Sequence, residues 1–133
     1  YEGAFGYSHP AAKIPCSLDT PFRIASLSKQ FTAAAILHLE ADGKLNTDDP
    51  VHLYLPEFAA EPYREITIYH LLTHTSGLPR TPEDSARHAL WDAMSEAPTP
   101  ARDYVRLACQ CPLQFEPGQG RQYSNFGYRI LSA

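Results

Sequence analysis

The chain has 133 residues, of which 44% are hydrophobic and 20% are charged, and its formal net charge is −4. This composition is typical of a single globular domain, and the scattered arginines argue against a nucleic-acid-binding face. The longest apolar run, Phe31 to Leu39, contains Thr32 and His38 and is far shorter than the roughly 20 residues of a membrane span, so we expect no integral membrane segment.

The first 25 residues predict a strand followed by an extended lead-in. Tyr1 to Tyr7 combines aromatic and small residues with two glycines, which favours a strand near a sheet edge. Pro10, Pro15 and Pro21 then interrupt the chain at short intervals. We therefore expect this segment to lead to the first helix without regular structure of its own after the strand.

The segment from Leu27 to Ala41 predicts an apolar helix. Its apolar positions cover nearly the whole circumference, and Gly43 with the neighbouring Lys44 supplies a stop signal. A helix that is apolar all round is normally buried on several sides. We therefore expect burial of this helix and of Lys29 within its first turns.

The rest of the chain predicts several shorter helices. Thr67 is a good N-cap for a helix through His74, and Gly77 is the expected C′ residue. A second predicted helix spans Glu83 to Ser95. A third begins at Pro100, with Thr99 as its N-cap, and runs to about Cys109, with Val105 and Ala108 facing inward. The last predicted helix begins near Phe126. Between the last two, Pro117 and Gly118 occupy the second and third positions of a turn.

Ser26 and Lys29 form the first candidate site. Residues three apart at a helix N-terminus lie on one face, with the hydroxyl near the positive end of the helix dipole. A serine becomes a nucleophile when a base removes its proton, and a lysine serves as that base when burial or a nearby cation lowers its pKa. Taken alone, this spacing is more typical of a capping serine and of a lysine that reaches solvent, so a second feature is needed.

The second feature is Tyr123-Ser124-Asn125, which lies between the turn and the last predicted helix. A tyrosine hydroxyl beside an ammonium can share a proton, and an asparagine amide can orient both a lysine and a substrate carbonyl. A tripeptide of this kind is also typical of a loop tyrosine followed by a capping residue. The two features gain weight from their joint occurrence.

Metal and disulfide chemistry have weaker signals. His70 and His74 have an i, i+4 spacing, but Leu71 stands where a zinc protease helix has glutamate, and no third ligand is evident. Cys16, Cys109 and Cys111 are too few for a four-thiolate site. We therefore expect structural histidines, buried thiols and no bound metal. Trp91 and Met94 are expected in the core.

Three segments resemble the serine β-lactamase and penicillin-binding protein family, specifically the class C β-lactamase-like branch with its related esterases and D-aminopeptidases. They are FRIASLSKQFTAAAILHLEADGKLNTDDPV (Phe22 to Val51), ITIYHLLTHTSGLP (Ile66 to Pro79) and PLQFEPGQGRQYSNFGYRIL (Pro112 to Leu131). Order and spacing agree throughout, and the stretch from Arg80 to Gln110 is the poorest match. The resemblance implies an α/β (α+β) β-lactamase/transpeptidase-like fold.

The resemblance also implies roles for four residues. Ser26 would be the acylated nucleophile, Lys29 its general-base partner and Tyr123 the second proton-transfer group, while Asn125 would contact the lysine and the substrate amide. Ser124 is expected to have a backbone role. No cofactor is implied, and the substrate would be a β-lactam, a small ester or a D-amino-acid amide.

One departure concerns a third motif of the family, Lys or His, then Ser or Thr, then Gly, which follows Tyr-x-Asn on a sheet strand. The sequence ends before it, so we expect a partial fold that holds the nucleophile helix (residues 26–43) and the helical subdomain (residues 44–133) but lacks most of the antiparallel sheet. Exposed apolar surface would then promote self-association.

Two alternatives to an active hydrolase remain open at this point. The chain can be a catalytically silent penicillin-fold fragment that serves as a binding or scaffolding module. It can also be a helical domain with chance motifs, in which Ser26 is an ordinary N-cap. Covalent reaction of Ser26 with an acylating probe distinguishes the active hydrolase from both of these alternatives.

Overall fold

The N-terminal segment forms a small hairpin in the computed structural model, which describes residues 1–83 and 85–133. Strand β1 (Tyr7–His9) pairs antiparallel with β2 (Ile14–Pro15), with an irregularity between Tyr7 and His9. The predicted strand from Tyr1 to Tyr7 is therefore wrong, since regular pairing begins where that prediction ended. Lys13, at φ 51°, lies in the hairpin turn.

Helix α1 (Ser28–Ala41) follows a 3-10 turn at Ala25–Leu27 and agrees with the predicted apolar helix. It ends where expected, at Asp42 and Gly43, and Gly43 has a φ of +68°. Its predicted burial is wrong for this chain, because Ile36 is the one buried residue among those of α1. Lys29 is half-buried rather than buried. Most apolar side chains of α1 face solvent because the described residues pack against only one side of the helix.

Four shorter helices form the rest of the chain. They are α2 (Ile68–Thr73), α3 (Ser85–Glu96), α4 (Ala101–Ala108) and α5 (Asn125–Ile130). Further 3-10 turns lie at Val51–Leu53 and Pro56–Phe58. The helix predicted over Glu83 to Ser95 corresponds to α3, although its second residue, Asp84, lies outside the described residues.

The helix caps agree with the predictions in part. Thr67 caps α2 as expected, since its Oγ1 accepts the N–H of His70 at 3.2 Å. The left-handed residue that ends α2 is His74, at φ 63°, and not Gly77. Pro100, not Thr99, is the N-cap of α4. The turn prediction is confirmed, since the N–H of Gln119 donates to the Glu116 carbonyl at 2.9 Å around Pro117 and Gly118.

The core lies among α2, α3, α4 and α5 and the turns before α2. Trp91 of α3 packs edge-on against Tyr104 and Phe126, with ring centroids 5.2 and 4.7 Å apart. Val105 and Ala108 are fully buried as predicted, and Trp91 with Met94 joins the same cluster. Helix α5 packs closely on α2 at Gly127, since the Leu71 carbonyl oxygen lies only 3.2 Å from the position that a Cβ on residue 127 would take.

The described residues contain five helices and one two-stranded sheet, which agrees with the partial fold, rich in helix and poor in sheet, that the sequence resemblance implies. None of the helices in residues 1–83 and 85–133 combines the length and the apolar composition of a membrane span.

Candidate active site

Ser26 lies in the 3-10 turn that precedes α1. Ala25, directly before it, has a φ of 47°, in the left-handed region that residues other than glycine rarely adopt. Strained backbone of this kind occurs often at functional sites, where the surrounding structure maintains it. The Ser26 side chain is exposed, so its hydroxyl is accessible to a ligand.

Lys29 lies one turn after Ser26, on the same face. Its Nζ donates to Ser26 Oγ at 3.3 Å and to Asn125 Oδ1 at 3.1 Å. The same ammonium lies over two aromatic rings, 4.8 Å from the centroid of Tyr123 and 5.5 Å from that of Tyr128. Cation–π contacts of this length add to its orientation. The lysine is therefore directed into the site and not along the helix to solvent.

Tyr123 makes the shortest contact to the serine. Its hydroxyl lies 2.7 Å from Ser26 Oγ, and either oxygen can be the donor. Burial acts to raise the pKa of Tyr123, but hydrogen bonds with Lys29 and Ser26, and the charges of Lys29 and Arg80, outweigh it, so the pKa lies below its ordinary value. A lowered pKa increases the fraction of Tyr123 that is phenolate, which is the form that can accept a proton.

The loop around Tyr123 is held by backbone interactions on the buried side. Ser124, 1% exposed, donates from its hydroxyl to the Pro79 carbonyl at 2.8 Å and accepts the N–H of Gly127 at 3.3 Å, which caps α5. The N–H of Asn125 donates to the Arg80 carbonyl at 3.1 Å. Ser124 thus has the backbone role expected for it, and its neighbours project toward Ser26.

Three further residues surround the site, namely Arg80, His74 and Tyr128, and none of them was predicted to lie there. The guanidinium of Arg80 lies 5.5 Å from the centroid of the Tyr123 ring. The imidazole of His74 packs against the rings of Tyr123 and Tyr128 at 4.7 and 5.2 Å. Because these contacts join residues distant along the chain, spacing gave no signal for them. The HTSGLP segment marks the place of His74 without indicating its function.

A cavity of about 450 Å³ opens beside Ser26 and Lys29. Its wall includes Trp91 from α3, with Tyr128 and Asn125 from α5. A larger cleft, of about 830 Å³, lies elsewhere, between Tyr63 and Phe115, and its lining contains no serine, histidine, lysine or cysteine. The smaller cavity is the one that combines concave shape with reactive groups.

His70 and Cys109 take part in structural interactions. The Thr67 N–H donates to His70 Nδ1 at 3.2 Å, and burial lowers the pKa of His70. The Cys109 thiol donates to the Glu57 carbonyl at 3.4 Å, and burial is the first cause that raises its pKa to about 11. Across residues 1–83 and 85–133, no group of three or more His, Cys, Asp or Glu side chains is placed to hold a metal ion.

Comparison with known proteins gives one consistent result. The model of the β-lactamase family matches residues 1–133. The chain is 41% identical over 134 residues to a penicillin-binding protein of Bacillus subtilis, a match that covers 99% of this chain and 28% of that protein. It is 38% identical over 135 residues to the esterase EstB of Burkholderia gladioli, covering 93% of this chain and 34% of the esterase.

Structural comparison agrees. The structure of a D-amino acid amidase from Ochrobactrum anthropi superposes with a TM-score of 0.74 at 30% identity, over 96% of this chain and 33% of the amidase. The chain thus spans about a third or less of the length of these proteins. Since the family model matches the whole chain and the fold agrees with it, the chain belongs to the β-lactamase family.

Proposed function

We propose that this chain carries the nucleophile and the proton-transfer groups of a serine hydrolase that works through an acyl-serine intermediate. The observation that carries the proposal is the 2.7 Å contact between Ser26 Oγ and the Tyr123 hydroxyl, beside the Lys29 ammonium. Nucleophile and base in hydrogen-bond reach, with the base oriented by a third group, is the arrangement that acyl transfer needs.

In the proposed acylation step, Tyr123 is in its deprotonated, phenolate form, and Ser26 Oγ attacks the substrate carbonyl carbon while its proton passes to the phenolate oxygen. The tetrahedral intermediate then collapses, and the leaving group departs with the proton that Tyr123 took. Lys29 keeps Tyr123 a good acceptor through its charge and holds Ser26 Oγ by a hydrogen bond. This assigns the first proton transfer to Tyr123, whereas the family resemblance suggested Lys29 for it. In the deacylation step, the Tyr123 phenolate takes a proton from the water that attacks the acyl carbon, and it gives that proton to Ser26 Oγ as the carboxylic acid product leaves.

Asn125 is proposed as the substrate-binding residue. Its Oδ1 accepts from Lys29, so the two hydrogens on Nδ2 are the amide's donors for a substrate carbonyl. This hydrogen bond gives Lys29 Nζ a second partner besides Ser26 Oγ, which limits the positions that the ammonium can occupy.

The proposed substrate is a small β-lactam, ester or D-amino-acid amide. The relatives support these three classes by name, as a penicillin-binding protein, an esterase and a D-amino acid amidase. Trp91 gives the cavity an apolar wall, which suits a substrate with an apolar side group.

We divide the chain into a lead-in over residues 1–25, a nucleophile helix over residues 26–43 and a helical subdomain over residues 44–133.

Self-association through apolar surface is a second part of the proposal. Phe22, Leu27, Phe31 and Leu37, on α1 and just before it, are all more than half exposed. Exposed apolar side chains in such number favour contact with other protein surfaces. Sedimentation velocity at rising concentration tests this, and a sharp monomer at every concentration contradicts it.

The test of the hydrolase proposal is intact-protein mass after incubation with a penicillin, an activated ester and a fluorophosphonate. A single adduct on the native chain that is absent from Ser26→Ala supports it. No adduct from any probe, on a chain whose circular dichroism shows it folded, contradicts activity and favours a silent binding or scaffolding module. Reaction with the penicillin or with the ester indicates that the site accepts that substrate class, whereas reaction with the fluorophosphonate reports only that Ser26 is nucleophilic.

A further inference from the structure

His74 occupies an unusual backbone position behind the site. It ends α2 in the left-handed conformation, at φ 63°, and its N–H caps the helix on the carbonyl of Leu71 at 3.4 Å. Of the three non-glycine residues with positive φ among residues 1–83 and 85–133, two lie at the site, namely Ala25 before Ser26 and His74 beside Tyr123. Since this conformation is energetically unfavourable for residues other than glycine, its occurrence at both places points to a function.

The backbone on both sides of Tyr123 is tied to His74. The N–H of Gln122 donates to the His74 carbonyl at 2.9 Å, and the N–H of Ser124 donates to His74 Nδ1 at 3.2 Å. The imidazole also packs against the Tyr123 ring at 4.7 Å. His74 therefore holds the backbone at Gln122, the backbone at Ser124 and the ring of Tyr123 between them.

The same imidazole contacts the second ring that faces the lysine. It lies 5.2 Å from the ring of Tyr128, whose hydroxyl donates to the Leu72 carbonyl at 3.1 Å. Tyr123 and Tyr128 are the two rings over which the Lys29 ammonium lies. The imidazole of His74 thus packs against both tyrosine rings, and its removal would allow both rings to shift relative to Lys29.

We propose that His74 is a positioning residue that holds Tyr123 at hydrogen-bond distance from Ser26, and that it does so only as a neutral imidazole. The proposal rests on the function proposed for Ser26 and Tyr123, and it adds a residue that acts through Tyr123 without touching the substrate.

The neutral form follows from the hydrogen bond. Because Nδ1 accepts the Ser124 N–H, it carries no proton, so the proton of the neutral ring is on Nε2. Protonation would turn Nδ1 into a donor that faces another donor. It would also add a positive charge near Lys29 of α1 and Arg121 of the loop before α5, with Tyr123 and Tyr128 as the titratable groups packed against the ring. Burial, and then the charges of Lys29 and Arg121, lower the pKa of His74 accordingly.

Two substitutions separate the parts of this role. His74→Asn keeps an acceptor near the position of Nδ1 and tolerates a left-handed backbone, but it has no ring and does not titrate. His74→Gly adopts the same backbone without strain but has neither acceptor nor ring. We expect the rate of fluorophosphonate labelling at Ser26 at pH 7.5 to fall about 10- to 100-fold in His74→Gly, as for a misplaced catalytic group, and to be partly restored in His74→Asn.

The readouts that do not depend on reactivity are the imidazole ¹⁵N shifts of His74 and the titration of the Tyr123 ¹³Cζ signal. We expect the Nε2–H tautomer in the native chain, and a Tyr123 pKa that returns toward its ordinary value in His74→Gly. The ratio of native to His74→Asn labelling rates should fall as pH decreases through the His74 titration, since only the native residue protonates.

The matched control is His70→Asn. His70 is one turn earlier on α2, is half-buried and accepts an N–H at Nδ1 as His74 does, but its partner is Thr67. We expect labelling within about twofold of native for this variant, because no contact to Tyr123 is lost.

Three results would overturn the proposal. They are an Nδ1–H or protonated His74 at neutral pH, an unchanged Tyr123 titration in a folded His74→Gly, and equal losses of labelling in His74→Gly and His70→Asn. If the native chain takes up no probe, the hydrolase proposal fails by itself, and the ¹⁵N and ¹³C measurements still decide the role of His74.

Discussion

The two sides of the site are built in different ways. Ser26 and Lys29 belong to α1 and its preceding turn, where Ile36 is the one buried residue of the helix and the nucleophile is exposed. Tyr123 and Asn125 flank Ser124, which is 1% exposed, and Asn125 precedes the fully buried Phe126. Tyr123, the proposed proton acceptor, is therefore held by a loop that is anchored in the packed core. Ser26, the proposed nucleophile, lies at the start of a helix that has little support among the described residues.

Side-chain hydrogen bonds join the two sides at the site itself. Ser26 reaches Tyr123 at 2.7 Å, and Lys29 reaches Asn125 at 3.1 Å. Substitutions at these contacts should change reactivity more than stability, and substitutions in the core should do the reverse. The comparison between the two sides can be tested in this form.

The largest expected effect on stability is in the core. Phe126→Ala should lower the free energy of unfolding by about 3–5 kcal/mol, because it removes a ring that packs on Trp91 in a fully buried position. Phe31→Ala on α1, where the side chain is 64% exposed, should change it by less than about 0.5 kcal/mol. Urea unfolding followed by circular dichroism measures both. Equal losses in the two variants would refute the distinction between the two sides.

The largest expected effect on reactivity is at Lys29. Lys29→Met should slow labelling of Ser26 by about 10²- to 10⁴-fold, since both the hydrogen bond to Ser26 and the charge near Tyr123 are lost. Lys29→Arg retains the charge and should keep a larger share of the rate. A Lys29→Met chain that labels as quickly as the native one would exclude lysine from proton transfer.

A comparison of Lys29→Arg with Lys29→Met then distinguishes the two possible bases. If Lys29 itself accepts the serine proton, arginine, which does not deprotonate, is as inactive as methionine. If Tyr123 accepts it, arginine supports a lowered Tyr123 pKa and measurable labelling. The ¹³Cζ titration of Tyr123 in both variants provides the second readout.

A smaller effect concerns pH and the packed side. The pKa values of His70 and His74 lie below the ordinary value of about 6.5, first because of burial, so the unfolded chain binds more protons as pH falls below 6.5. Stability is then complete above this pH and decreases as pH falls toward the folded-state pKa values. Urea midpoints between pH 7.5 and 5 measure the decrease, and His70→Asn should reduce it. Stability that is constant or rises over this range would contradict the assignment of both as neutral.

The smallest expected effect is at Ala25. Ala25→Gly relieves the left-handed backbone at φ 47° but adds freedom to the unfolded chain, so the net change should be within about 1 kcal/mol and toward greater stability. Ala33→Gly inside α1 is the control and should cost about 1 kcal/mol. If Ala25→Gly destabilises as much as this control, the backbone at Ala25 is not strained.

The residues with local signals could be predicted from the sequence. Thr67 as a cap, the Pro117-Gly118 turn and the course of α1 depend on neighbours within a few residues, and their placement agrees. Ser26 and Lys29 share a face because of helix geometry, and the pairing with Tyr123 and Asn125 came from resemblance to the family. Their roles remain proposals.

What could not be predicted depends on contacts between distant segments. The position of His74 against Tyr123, and of Tyr128 under Lys29, requires the packing of α5 on α2. The prediction of a strand over Tyr1 to Tyr7 was wrong because the aromatic pattern does not specify which residues pair with another strand. In the structure the pairing begins at Tyr7. The predicted end of α2 at His74 agrees with the structure, but the prediction of Gly77 as its C′ residue was wrong because His74 itself takes the left-handed conformation.

The measurement to make is the rate of fluorophosphonate labelling at Ser26 as a function of pH, in the native chain and in Tyr123→Phe, with the Tyr123 ¹³Cζ titration in parallel. We predict that the native rate rises with the ionisation of Tyr123, at a pKa below its ordinary value, and that Tyr123→Phe lacks this rise and labels at least about 100-fold more slowly. A rate that is the same in Tyr123→Phe, or that rises at a pH unrelated to Tyr123, would contradict the assignment of Tyr123 as the group that activates Ser26.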